Sequence, residues 1–220
     1  MLNKQGCGFL YESFENLPEE KKKKIIDICI EEFAEKGYTN ASTNAIVKKA
    51  NISKGILFHY FKNKKSLYLY IMDYVIKSFM DKYRQYNINP SDDIFDRLMQ
   101  TGIIKLKMAY DEPLMYKLLF DIFINTPDEL KEEIQNRFKN IYAEVLPTLY
   151  EGLDMSKFRK DVDVRKAVEI ISLFLDGLQK KYMAEFKGMD ADEVLRRVDK
   201  LTDEYRQYFE ILKKGMYENE

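Results

Sequence analysis

Between Lys36 and Lys65 the chain carries seven lysines, at positions 36, 48, 49, 54, 62, 64 and 65, and neither Asp nor Glu. Over the whole sequence the signs balance, with 36 basic and 37 acidic residues, so a local charge of +7 over thirty residues is a strong departure. Solvated surfaces normally mix signs, and the segment just before this one does so. A cationic surface free of acids is the footprint of a polyanion binder. The same stretch supplies hydroxyls at Ser42, Thr43 and Ser53. At a helix start such a hydroxyl, together with the unpaired backbone N–H groups, suits a phosphate oxygen.

Those side chains need elements to position them. Ser42-Thr43 is a helix start, and Asn44 to Ala50 follows as a short helix whose apolar residues Ile46, Val47 and Ala50 fall three and four apart. Asn51 ends it, because Asn tolerates the left-handed conformation that closes a helix. Ile52 plugs the turn, Ser53 caps a second helix from Lys54 to about Phe61, and Asn63 opens a third. The layout is that of a helix-turn-helix, which crosses the DNA backbone with one helix and sets the next in the major groove. Upstream, Pro18-Glu19-Glu20 starts a helix with an apolar stripe at Ile25, Ile26, Cys29, Ile30, Phe33 and Ala34, ending at Gly37. Residues 1–16 show no period and read as an arm, in which Phe9, Leu10, Tyr11 and Phe14 imply some packing and Lys4 is placed to touch DNA.

The remaining chain reads as helices throughout, so the fold class is all-α with about nine helices. Residues 1–65 hold 12 lysines against 8 acids, net +4, while residues 66–220 carry net −5. Two functional halves follow: a DNA-binding domain over 1–65 and a helical regulatory domain over 66–220. Ser66 starts a long joining helix, Asn87 to Pro90 is a turn, and a helix runs from Ser91 to Tyr110. Leu114 to Ile124 is apolar on most sides, which marks an interior helix. Pro127 starts another, bent at Pro147. The last two helices, about 163–186 and 190–214, have more apolar face than a monomer core needs. The surplus predicts a homodimer joined as a four-helix bundle. No apolar run reaches eighteen residues, and the N-terminus lacks a secretory h-region. Cys7 and Cys29 have no metal-ligand or disulfide spacing, and a reducing cytoplasm is the expected compartment.

Taken together, Phe33-x-x-Lys36-Gly37-Tyr38, Ser42-Thr43-x-x-Ile46, Ala50-x-Ile52-Ser53-Lys54-Gly55 and Leu57-Phe58-x-Tyr60-Phe61-x-Asn63-Lys64 resemble the N-terminal domain of the TetR family of transcriptional regulators. The resemblance covers about residues 14–70. It implies DNA contacts from Ser42, Thr43, Lys54, Gly55, Phe58, His59, Tyr60 and Lys64. Lys54 is placed for a guanine edge or a phosphate, and Gly55 lets the helix approach the groove floor. Phe58 stands in place of the usual Tyr and suits an apolar base or sugar contact, while Tyr60 and Lys64 act as phosphate anchors. Ile56 stands where a small hydroxyl residue is usual and either touches a thymine methyl or fills space. Asn51 replaces the family's Gly in a backbone it can also adopt. His59 is the sole histidine; in contact with a phosphate it would strengthen binding as pH falls toward roughly 6.5.

The resemblance also implies a small-molecule pocket. Met108, Met115, Tyr116, Phe120, Phe123, Tyr142 and Phe174 are candidates to line it for an unidentified hydrophobic effector. The expected function is a repressor released from a palindromic operator in double-stranded DNA. No Gly-rich phosphate loop, metal spacing or nucleophile motif supports an enzyme, a metal site or a cofactor, and no membrane partner is expected. The alternative is a non-enzymatic helical interaction protein whose basic face binds an anionic partner.

Overall fold

The computed structural model of the protein describes residues 11–86 and 89–218, the side chains of residues 142, 144–149, 183 and 191 excepted. The arm as far as residue 10, Asn87 and Ile88 of the expected turn, and the side chains of Tyr142 and Pro147 lie outside the described residues. The described residues form α1 (Glu12–Glu15), α2 (Glu19–Asn40), α3 (Thr43–Ala50), α4 (Lys54–Phe61), α5 (Lys64–Gln85), α6 (Ile94–Asp111), α7 (Pro113–Ile124), α8 (Lys131–Tyr150), α9 (Val164–Phe186), α10 (Ala191–Leu195) and α11 (Val198–Met216). Short 3-10 turns, Asp128–Leu130 and Met155–Lys157, precede α8 and α9. The architecture is all-α, and the two helices beyond the expected nine are the short α1 and α10. No described helix is long and apolar enough to cross a membrane.

Local chemistry sets most boundaries. Glu19 and Glu20 occupy the first turn of α2, where the helix dipole favours negative charge. Its stripe of Ile25, Ile26, Cys29, Ile30, Phe33 and Ala34 is buried as the spacing predicts. At Gly37 the backbone leaves the helix with φ 64° and ψ 172°, a region open in practice to glycine alone, and the chain turns toward Tyr38. For α6 the sequence places the start at Ser91. Asp93 is the actual cap, its Oδ1 accepting from the N–H groups of Phe95 (2.8 Å) and Asp96 (3.1 Å), while Ser91 Oγ accepts from Asp93 N. The single helix expected over about 190–214 is instead two. Arg197 sits at φ −100° and ψ 0°, its N–H bonding back to Val194, and the chain restarts as α11.

Three apolar clusters hold the chain together. The first joins α1 to α5 but also takes in Leu118 and Ile122 of α7, Leu130, and Ile134 of α8. Within it Phe14 of the arm is fully buried, 4.6 Å from Phe61 between ring centroids. A tilted aromatic pair of this kind contributes about 0.5–1.5 kcal/mol beyond its buried area. The second cluster gathers Ile94 and Phe95 of α6, Ala167 and Ile171 of α9, and Phe209 and Met216 of α11. The third, around Leu178, Tyr182, Phe186 and Val194, is packed by Phe120 and Ile124 of α7. Thus α7 inserts Leu118 and Ile122 into the same core that shapes α2 to α5, and turns Phe120 and Ile124 toward α9.

Candidate nucleic-acid interface

Two short helices carry the cationic segment, and each is closed by a side-chain cap. Ser42 Oγ accepts from Ala45 N at 3.3 Å to start α3, and Ser53 Oγ accepts from Ile56 N at 3.2 Å to start α4. Asn51 adopts the left-handed conformation between them, with φ 54° and ψ 48°. Asn63 Oδ1 accepts from Ser66 N at 2.8 Å and opens α5. Each such cap contributes roughly 1 kcal/mol, which matters for helices of only eight residues. Ile46 and Ala50 of α3 and Leu57 and Phe61 of α4 are buried, so the two helices cross through their apolar sides.

Their other side is open. Lys48, Lys54, Gly55, Ile56, His59 and Lys62 are exposed, and Lys36, Lys48, Lys54 and Lys62 carry no ion pair among the described residues. Lys54 Nζ lies 5.8 Å from the centroid of the half-buried Phe58 ring, so the two share one flank of α4. Around Gly55 the nearest atom to an added Cβ would be Ser53 Oγ, at an ordinary 3.8 Å. Nothing within the fold therefore requires a glycine there. Ser42 and Thr43 are half-buried at the start of α3.

Other residues of the segment are held by the protein itself. The Tyr60 ring, expected to point its hydroxyl outward, is only 8% exposed and packs 5.5 Å from Phe14. Lys64 folds back: its Nζ donates to Thr39 O at 3.0 Å and sits 5.0 Å over the Tyr38 ring, and burial lowers its pKa. Tyr60 therefore serves the core, and Lys64 the last turn of α2 beyond Gly37. Lys49 pairs with Glu31 at 3.0 Å, and Lys65 pairs with Glu133 of α8. The surface is less purely cationic than the bare sequence implies, since α2 and α8 bring acids to its edge.

One positioning residue escapes a reading of the sequence. Glu32 is 6% exposed, and its Oε1 accepts from Ser42 N at 2.8 Å, tying the start of α3 to the middle of α2. Its one sequence signal is position: three residues after buried Cys29, it lies beside the apolar stripe. Cys29 itself is fully enclosed, and burial pushes its thiol up to about 12, so it packs as an inert apolar group.

The expected pocket residues are spread over several contacts. Met108 is buried; Met115 packs on the first cluster and Phe120 on the third; Tyr116 is half-buried, and burial raises its pKa. Phe123 lies 4.4 Å from Phe138 and Phe174 lies 5.4 Å from Tyr208, while the side chain of Tyr142 is outside the described residues. Two clefts open elsewhere. One, of about 230 Å³, is lined by Tyr83, Arg97, Gln100, Thr101 and Ile104, and another, of about 290 Å³, lies between α9 and α11.

Two capped short helices, a left-handed turn and an exposed cationic face define a helix-turn-helix DNA-binding regulator. Comparison with known proteins makes this specific. Residues 25–71 match the model for bacterial regulatory proteins of the tetR family. Over 163 residues, 70% of this chain and 80% of the relative, the sequence is 26% identical to the biofilm operon icaADBC HTH-type negative transcriptional regulator IcaR of Staphylococcus epidermidis. The fold is similar to the crystal structure of a TetR family transcriptional regulator from Chloroflexus aurantiacus, with TM-score 0.54, 24% identity, and 94% of this chain and 98% of that one covered. It is also similar to that of a putative tetR family transcription regulator from Shewanella, with TM-score 0.58, 18% identity, and coverage of 90% and 99%. The chain is thus similar to TetR family transcriptional regulators, and the family model itself is matched over residues 25–71.

Proposed function

We propose that this protein is a cytoplasmic, non-enzymatic repressor that binds a palindromic operator as a homodimer and is released by a hydrophobic small molecule. The observation that carries the DNA reading is the exposed face of α3 and α4, where Lys48, Lys54 and Lys62 stand exposed and without an ion pair among the described residues. In this reading Ser42, Thr43, Lys54, Gly55, Phe58 and His59 meet the duplex directly. Tyr60 and Lys64 hold the reader in shape and lie next to the backbone.

The dimer reading is supported by Ile170 and Leu173 of α9 and Ile211 of α11, which are 48%, 65% and 67% exposed. Ile170 and Ile211 line the same cleft. Two copies joined there would place two α4 helices about one helical turn apart, roughly 34–36 Å or a multiple of it. The repressor reading is favoured by the relative described as a negative regulator. For the switch, support comes from the junction between reader and body. Lys65 pairs with Glu133, Arg137 Nε donates to Asp73 Oδ1 at 3.0 Å, and an added Cβ at Gly37 would lie 3.5 Å from Asp121 Oδ2 of α7. On this account the functional boundary falls near residue 65, with α5 and α7 transmitting across it. A ligand shifts the dimer only by its differential affinity for the two shapes.

The test is a fluorescence anisotropy titration against promoter fragments from beside the protein's own coding region, repeated over a range of salt. A log–log slope near −0.9 per phosphate neutralised, together with sequence preference, supports the reading. The slope without the preference marks a generic basic surface for an anionic partner. Adding hydrophobic and aromatic small molecules to the complex then tests release; a wide screen with no effect on affinity removes the switch.

A further inference from the structure

Every large apolar side chain of the described reader segment, residues 11–86, is buried or half-buried except one. Ile56 is 41% exposed, and the other large exposed apolar residues begin at Ile103. A single exposed isoleucine is ordinary on a protein surface. The position of this one makes it informative.

Ile56 lies in the first turn of α4, its N–H held by the Ser53 cap at 3.2 Å. The N-terminal residues of such a helix are those that meet base edges. Leu57, Tyr60 and Phe61 turn inward, leaving Gly55, Ile56 and His59 as the centre of the outward face, with Lys54 and Phe58 on its flank. Gly55 has room for a side chain and has none, so the surface beside Ile56 is flat and a groove floor can come close. Ile56 is β-branched, which fixes its χ1 on a helix and reduces the entropy lost on contact. Base edges in the major groove present hydrogen-bond donors and acceptors, and one apolar group, the thymine C5-methyl. A lone stiff apolar side chain at that place has one complementary partner.

We infer that Ile56 is a specificity-determining residue that reads a thymine methyl group in each half-site of the operator. The inference rests on the DNA-binding reading above and adds the base it selects. Covering one methyl from water changes affinity about four-fold per half-site, from ~0.8 kcal/mol per buried carbon.

The experiment begins with selection of duplexes from a random library by the full-length protein. Each thymine of the selected duplex is then replaced by deoxyuridine, symmetrically in both half-sites, which removes the methyl and leaves the pairing intact. The wild type is expected to lose about sixteen-fold at one symmetric thymine pair and little at the others. Ile56→Ala should bind the thymine and uracil forms of that pair equally, and Ile56→Val should discriminate to an intermediate degree. Because Ile56 is exposed, an unchanged melting curve for both variants shows that the fold is intact. The inference is overturned if the wild type is insensitive at every thymine, if no thymine is selected, or if Ile56→Ala keeps the full sensitivity. A selection that yields no preferred sequence would instead remove the DNA-reading assignment itself, and this inference with it.

Discussion

Ser42 illustrates how single groups hold the reader in place. Its Oγ closes α3, while its N–H is taken by the buried carboxylate of Glu32. Replacing Glu32 with Ala leaves that N–H without its acceptor in a partly enclosed site, which costs about 1–3 kcal/mol. Chemical denaturation of Glu32→Ala should show this loss, and DNA affinity should fall with it because α3 loses its fixed relation to α2. Tyr68 gives the opposite expectation. It is 1% exposed, and its hydroxyl has no hydrogen-bond partner among the described residues. Tyr68→Phe should therefore be neutral or stabilising by up to about 1 kcal/mol in the same measurement. The two caps at Ser42 and Ser53 and the turn at Asn51 are legible in the sequence because their chemistry is local. The inward Tyr60, the folded-back Lys64 and the buried Glu32 are not. Their places depend on Phe14, Thr39 and Ser42, which lie 10 to 46 residues away and which no local pattern connects.

At the scale of elements, the same contrast appears in the C-terminal half. Asp163 caps α9 through Arg165 N at 3.0 Å and Lys166 N at 3.4 Å, where the sequence places the start of that helix. The break at Arg197 between α10 and α11 is not legible, because Val194, Val198 and Leu201 keep helical spacing through it. Nor does periodicity reveal that α7 serves two cores at once; a helix apolar on most sides announces burial and not its partners. The contact between α9 and α11 includes an exposed charge cluster whose response to acid is definite. Glu204 accepts from Lys181 Nζ at 2.5 Å and from the Tyr208 hydroxyl at 3.0 Å, and these hydrogen bonds, led by Lys181, hold its carboxyl down at about 2. A carboxyl depressed in the folded state contributes stability above its ordinary value of 4.5, and loses it as pH falls toward 2. The melting temperature should thus decline between pH 5 and pH 2, and Glu204→Gln should flatten part of that decline. Identical curves for the two proteins would show that the cluster contributes nothing.

For the whole molecule, one α4 helix covers too few base pairs to select a site, so the reader needs a second copy. Leu173 is the test position: at 65% exposure it contributes little to the monomer, and a charge there should block pairing of α9 with its counterpart. Leu173→Glu is expected to sediment as a folded monomer and to lose at least a hundred-fold in operator affinity, on the order of one half-site's contribution. A variant that remains dimeric would move the interface away from α9. The central claim is that two copies of this chain read one duplex through their α3 and α4 faces. Its most direct measurement is a titration of full-length protein, at fixed physiological salt, against a palindromic duplex from beside its own gene and a scrambled duplex of equal length, with the stoichiometry read from the saturation point. The expected result is two chains bound per palindrome and an affinity about a thousand-fold or more above that for the scrambled sequence. Equal affinity for both duplexes, or one chain bound per site at full affinity, would contradict it.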